Sequence, residues 1–168
     1  MNHRQALKQE VFKIIGKSAD ELQVDAYVIG GFVRDYFLQR GDAKDIDIVA
    51  VGSGIELAQK VSSQLMENPK VSVFKNFGTA MIKHGDIELE FVGARKESYT
   101  CNSRKPIVEN GTLADDQNRR DFTINALALS LNERDFGNLL DPFDGIGDLE
   151  KKLLGRLWNP ELLIPMIL

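Results

Sequence analysis

Cysteine is all but missing. Cys101 is the single one among 168 residues, so the chain has no internal disulfide and nothing implies an oxidising compartment. It sits in a polar stretch, where an ordinary surface thiol is expected. Histidine is scarce too: His3 and His84 lie far apart without cysteine neighbours, which argues against a zinc site. No apolar run approaches the roughly 20 residues a membrane span requires. The amino end, MNHRQALKQEVFKIIGK, is basic, but its apolar residues are spaced as in a helix and form no continuous block, so no secretory signal is expected. These absences together lead us to expect a cytoplasmic protein. An excess of positive charge is also lacking. The net charge is −4 and the pI about 5.3, whereas free-standing nucleic-acid binders are usually basic. A nucleic-acid partner would need a local patch or further chain. There is no internal repeat and no low-complexity tract.

What is present suits a single globular domain. Hydrophobic residues make up 43% and charged residues of both signs 27%, enough to bury a core. Apolar spacing predicts a helix over 4–17 through Leu7, Val11, Ile14 and Ile15. AYVIGG (26–31) reads as a buried strand, 32–40 as a helix closed by Gly41, and 45–51 as a strand. A helix is predicted over 54–68, stopping before Pro69. Three β-like runs follow, VSVFKN, GTAMIKH and IELEFVGA, the last two joined by a tight turn at His84-Gly85-Asp86. Residues 95–118 are polar and aperiodic, long for a loop in a compact domain and so expected to be mobile or functional. Its basic pairs, Arg95-Lys96 and Arg104-Lys105, suit solvated loop charge better than RNA contact. RRDFTINALALSLN (119–132) reads as a helix becoming extended near its end, and 139–154 as a turn leading into a last helix. Strands alternating with helices and then a hairpin indicate an α/β or α+β sheet with flanking helices.

Two constellations carry chemistry. In KDIDIVAVG, Asp45 and Asp47 are two apart, so on a strand they leave the same face while Ile46 and Ile48 enter the core. Carboxylates so close raise one another's pKa unless a cation lies between them, and a hard oxygen set suits Mg²⁺ shared with substrate phosphates. A strand with one solvated face explains the same pattern. Before it, Gly30-Gly31 stands where an apolar strand turns into a helix containing Arg34 and Asp35. Such glycines let backbone amides approach a phosphate, and Arg34 could clamp phosphate oxygens; a purely structural turn is the alternative. Glu90, between Leu89 and Phe91, is a candidate third carboxylate, while Glu88 fits a charged outer face.

VIGGFVRD, KDIDIVAVG, ELEFVGAR, RRDFTINALAL and DPFDGIGDL, in that order and spacing from about Ala26 to Leu149, resemble the catalytic head of class II tRNA nucleotidyltransferases (CCA-adding enzymes) and bacterial poly(A) polymerases. The paired glycines with D-x-D mark the wider polymerase-β-like superfamily, and RRDFTINA points to class II itself. The resemblance implies a polymerase-β-like nucleotidyltransferase fold, a small mixed β-sheet with flanking helices. It implies that Asp45 and Asp47 bind metal, two Mg²⁺ ions in all, with Glu90 as the third acidic position. Gly30, Gly31, Arg34 and Asp35 fall where the family holds the nucleoside triphosphate. Arg120, Asp121 and Asn125, with Arg119, fall in the motif facing the ribose and phosphates. Placed four apart on a helix, Asp121 and Asn125 would share one side and reach a ribose 2′-hydroxyl.

The expected organisation is a head over residues 1–150 and the truncated start of a neck over 151–168. In the family a neck helix with an acidic-and-arginine motif selects the base, and nothing after Gly155 resembles it. The ending RLWNPELLIPMIL is apolar and expected to seek a partner. The expected function is addition of CMP or AMP from CTP or ATP to the 3′ end of tRNA by two-metal-ion catalysis. Poly(A) addition or transfer of only A or only C are alternatives, since the same head serves each. A Mg-nucleotide-binding module without catalysis is an alternative of another class.

Overall fold

The computed structural model describes residues 1–41, 43–98, 107–157 and 159–165. Cys101 and the Arg104-Lys105 pair lie outside the described residues. After a 3₁₀ turn at Arg4–Leu7, the chain runs α1 (Glu10–Glu21), β1 (Ala26–Ile29), α2 (Gly31–Phe37), β2 (Asp45–Ala50), α3 (Gly54–Gln64), β3 (Val71–Phe74), β4 (Thr79–His84), β5 (Ile87–Gly93), β6 (Arg95–Ser98) and β7 (Ile107–Asn110). It continues through α4 (Leu113–Asn118), β8 (Ala128–Ser130), β9 (Leu139–Leu140), α5 (Gly145–Lys151), β10 (Leu153–Arg156) and β11 (Asn159–Pro165). Seven strands form one mixed sheet in the order β3-β4-β5-β2-β1-β8-β9. All its pairs are antiparallel except β2 with β5. The pairs β6–β7 and β10–β11 stand as separate ribbons.

Period-two alternation sorts the sheet into two unlike faces. One presents Val28, Ile46, Ile48, Leu89, Phe91, Ala80, Ile82 and Leu129, all buried. α1 packs there through Val11, Phe12, Ile15 and Ala19, and α3 through Leu57, Ala58 and Val61. Each such aliphatic or aromatic side chain contributes roughly 1.5–3 kcal/mol by leaving water, which makes this face the main core. Close approach matters here: a Cβ on Gly16 of α1 would lie 2.0 Å from the Leu131 carbonyl oxygen. Buried Asn132 closes the same end of the sheet. Its Oδ1 accepts from the Ala26 amide at 2.9 Å, and its Nδ2 donates to Asp20 Oδ1 at 2.8 Å and to the Val24 carbonyl at 2.9 Å.

The other face is open over much of its area. Among the described residues, Tyr27, Ile29, Val49, Ala94, Leu113 and Ala128 make a small second core there, with Val51, Val92 and Leu140 packed against it. Beyond that core the sheet presents Asp45, Asp47, Glu88 and Glu90.

Several expectations are corrected. The first helix is shifted to Glu10–Glu21, and the third ends at Gln64. The stretch 95–118 is not one loop: β6 and β7 pair within it, and α4 opens on a capping box, in which the Thr112 side chain accepts from the Asp115 amide and Asp115 Oδ2 accepts from Thr112 N–H. The helix expected over 119–132 does not form. α4 ends at Asn118, a 3₁₀ turn occupies Thr123–Asn125, and Ala128–Ser130 is strand β8, inserted between β1 and β9. β-pairing on both sides outweighs the helix-like spacing of Ile124, Leu127 and Leu131. The last predicted helix is short, giving way at Leu153 to the β10–β11 hairpin.

Candidate active site

The turn after β1 is the geometric centre. Gly30 adopts φ +78° and ψ −131°, a region that side chains with a Cβ rarely enter. A Cβ there would meet Arg120 Nη1 at 3.4 Å, Asp47 Oδ2 at 3.6 Å and the Asn125 carbonyl oxygen at 3.7 Å. So the glycine turn, a D-x-D carboxylate and the RRDFTINA motif converge on one point from chain positions some distance apart.

The carboxylates sit as the alternation predicts. Asp45 and Asp47 are both exposed on the open face, flanking buried Ile46. Ile29 pairs with Asp47 across β1–β2, and Glu90 with Asp47 across the parallel β2–β5 pair. Glu90 is thus one strand spacing, about 4.8 Å of backbone, from Asp47. Among the described residues neither aspartate makes a hydrogen bond or salt bridge. Partial burial raises the Asp47 carboxyl above the ordinary aspartate value; the Arg120 charge opposes this, and Asp45 and Asp116 add to it. Unpaired oxygens on one face, with Asp47 raised in proton affinity, fit a hard divalent cation. No third acidic or imidazole group among the described residues closes a ready-made cage around them. A cation held there would therefore draw its remaining ligands from water and substrate, as Mg²⁺ does.

The cationic wall is built from α4 and α2. Asp116, fully buried, receives both arginines: Arg119 through Nε at 3.0 Å and Nη2 at 2.8 Å, Arg120 through Nε at 3.3 Å and Nη2 at 3.0 Å. That leaves Arg120 Nη1 directed at the Asn125 carbonyl, 3.3 Å away, and towards the glycine turn. Arg34 donates from Nε to Asp35 Oδ1 at 2.8 Å and from Nη1 to Asn125 Oδ1 at 3.1 Å. Asp35 therefore fixes Arg34, and Asn125 joins the two motifs. Asp121 is the exception. It is exposed, and its side chain has no hydrogen-bond or ion-pair partner among the described residues. With no helix over 119–132, it does not share a helical side with Asn125.

Two supporting residues are not evident from the sequence pattern alone. Asp116 falls in the stretch expected to be a loop; its signal is an acid three and four residues before paired arginines, following a capping threonine. Gln117, buried beside it, donates from Nε2 to the Ala126 carbonyl at 2.7 Å. DPFDGIGDL is scaffolding for the turn that carries Asn125. Asp141 accepts from the Gly145 and Ile146 amides at 2.7 and 3.0 Å, and Thr123 Oγ1 donates to Asp148 at 2.5 Å. A hollow of about 710 Å³ lies elsewhere, between α1 and residues 131–136, and contains none of these groups.

A glycine turn abutting same-face carboxylates on a mixed sheet, walled by arginines, defines the polymerase-β-like nucleotidyltransferase class. The chain belongs to the Poly A polymerase head domain family, whose profile matches residues 26–155. It is 44% identical over 135 residues to the A-adding tRNA nucleotidyltransferase of Aquifex aeolicus, covering 80% of this chain and 16% of that protein. A CCA-adding enzyme in an apo form superposes with TM-score 0.79 at 38% identity, over 88% of this chain and 34% of that one. A tRNA nucleotidyltransferase complexed with a primer tRNA and an incoming ATP analog gives 0.71 at 40% identity, over 82% and 37%. The chain thus spans about a third or less of these proteins. Enzymes of this family are in general dependent on a divalent metal. No helix among the described residues is long and apolar enough to cross a membrane.

Proposed function

We propose that the chain is the nucleotidyl-transferring head of a tRNA nucleotidyltransferase, joining CMP or AMP from CTP or ATP to an RNA 3′ end, with two Mg²⁺ ions. The observation that carries this is the meeting of Asp47, Arg120 and Asn125 around Gly30. Residues 1–150 form the head on this reading, and 151–168 lead out of it. The protein works in the cytoplasm, where the tRNA maturation named for its relatives takes place.

Asp45 and Asp47 would hold the ions, with Glu90 completing the acidic side. When bound, such ions acidify the attacking 3′-hydroxyl and offset charge on the departing pyrophosphate. The backbone at Gly30-Gly31, without side chains, lets triphosphate oxygens come close. Arg34 and Arg120, both anchored on Asn125, would neutralise those oxygens. Each guanidinium is held by a carboxylate and by Asn125 beforehand, so little rearrangement is needed as charge develops. On this reading the Asn125 side-chain NH₂, with Oδ1 held by Arg34, would be the group offered to the ribose.

The name of the Aquifex aeolicus relative favours a second reading, in which only A is added. Both are tested together. The purified chain is titrated with Mg-ATP and Mg-CTP, then incubated with tRNA ending at the discriminator base or at CC and each labelled nucleotide. Metal-dependent binding that is lost in Asp47→Asn is expected, with incorporation showing which nucleotides are used. An Asp47→Asn protein that binds Mg-ATP and incorporates label like the parent would end the proposal.

A further inference from the structure

Two large aromatic side chains are exposed on the described surface, and they stand together. Phe74 at the end of β3 is 45% exposed and Phe77 in the following 3₁₀ turn 68% exposed. Water-facing phenyl rings of this size are costly unless something covers them. They rim a cavity of about 440 Å³ whose wall includes Met81, Glu90, Arg95 and Arg119, within the roughly 300–1,000 Å³ range of small-ligand pockets.

The cavity opens on the same sheet face as the acidic pair. Glu90 belongs to both: it lines the cavity and is in register with Asp47. Phe74 pairs with Thr79, and Thr79 with Val92, so Phe74 lies three strands across and two residues along from Asp47. That is roughly 16 Å at the usual strand and residue spacings, a gap spanned by a short stretch of extended RNA. The glycine turn and Arg34 lie on the other side of the aspartates, on the β1 side of β2. The incoming triphosphate and this cavity therefore flank the acidic pair from opposite sides.

Charge favours the same occupant. Arg95 lines the cavity and donates from Nη2 to the Phe77 carbonyl, which holds the aromatic turn in place. Lys70 and Lys83 flank an adjoining hollow that shares Phe74 and Met81; Glu88, opposite Lys83 across β4–β5, lines it too, which leaves cations in excess over the two hollows. Exposed aromatics interleaved with cations are what single-stranded nucleic acid requires, a π-face for the base and positive charge for its phosphate.

Building on the function proposed above, we infer that Phe74 and Phe77 form a stacking platform for a base of the RNA acceptor just upstream of its reactive 3′ end. Arg95, Lys70 and Lys83 hold the adjacent phosphates. Selection of the incoming nucleotide plays no part here.

The test uses the full chain and an acceptor-stem minihelix carrying 2-aminopurine at the penultimate 3′ position. Stacking should quench the probe. Phe77→Ala should abolish the quench and weaken RNA affinity by roughly five- to a hundred-fold, while Mg-ATP affinity stays within about two-fold of the parent. Phe77→Trp should restore both RNA signals, and Phe74→Ala should act in the same direction as Phe77→Ala. Circular dichroism checks that the variants fold, which exposed positions readily allow. Unchanged RNA affinity and quenching in Phe77→Ala would overturn the inference. So would a parallel loss of Mg-ATP affinity, which would give the platform to the incoming base. Loss of self-association in sedimentation with RNA binding intact would give it to a second copy and overturn the inference equally. A parent chain that binds Mg-ATP but is indifferent to both Phe substitutions defeats this inference alone; a parent that binds neither ligand defeats the proposed function as well.

Discussion

Replacing Asp116 by Asn should loosen the wall of the site from behind. The carboxylate is fully buried and takes four guanidinium contacts of 2.8–3.3 Å from two arginines. Asparagine keeps one acceptor oxygen but turns an NH₂ towards a guanidinium and removes the negative charge that both arginines share here. Stripping one partner from a buried ion pair costs about 3–5 kcal/mol. The Arg119 and Arg120 side chains retain 27% and 18% exposure, so water recovers part of this and a loss of about 3 kcal/mol is expected. In a domain of this size that lowers the melting temperature by roughly 6–12 °C. Thermal unfolding followed by circular dichroism reads it directly, with exposed Asp121→Asn as a control expected to stay within about 0.5 kcal/mol of the parent. Mg-ATP titration of Asp116→Asn at low temperature should also show weakened binding, because Arg120 is no longer aimed at the glycine turn. A melting point within about 2 °C of the parent, together with unchanged nucleotide affinity, would refute the view that Asp116 organises both arginines.

Gly30→Ala should cost about 1–3 kcal/mol from its backbone conformation alone and weaken Mg-ATP binding, since its Cβ would fill the space beside Arg120 and Asp47 that a phosphate is proposed to approach; equal affinity would show that the turn tolerates a side chain. Gly16→Ala should destabilise by about 1–3 kcal/mol through overpacking against Leu131, although alanine in a helix interior normally stabilises; urea unfolding decides the sign. Asn132→Ala should cost about 2–3 kcal/mol by leaving the Ala26 amide and Val24 carbonyl without their partner, measured by the same unfolding curves with nucleotide affinity unaffected.

The sequence discloses the acidic side of the site more readily than its basic side, for a physical reason. Period-two alternation is a local rule, so DIDIV places Asp45 and Asp47 on one face before any neighbour is known. The hairpin of GTAMIKH with IELEFVGA is legible in the same way, through apolar alternation and a glycine turn. RRDFTINALALSLN misleads because its apolar spacing satisfies a helix, while the decision belongs to β1 and β9, which pair with Ala128–Ser130 from far along the chain. Asp116 is hidden by its polar surroundings. Polarity suggests a loop, yet the residue is buried because its two arginines neutralise it in place. Even so, the threonine-to-aspartate capping box at Thr112 and Asp115 is a local signal that the sequence does carry.

The lone parallel pairing in the sheet makes the proposed acidic side of the site depend on the assembled fold. Aligning Glu90 beside Asp47 requires the chain to cross over by way of α3, β3 and β4, so the acidic cluster is a long-range product of assembly rather than a local motif. Closing that loop carries an entropic cost that a local motif does not. If Glu90 completes the acidic side as proposed, divalent-ion binding should weaken, though not vanish, in a partly folded form whose β5 has peeled away while its D-x-D strand stays intact.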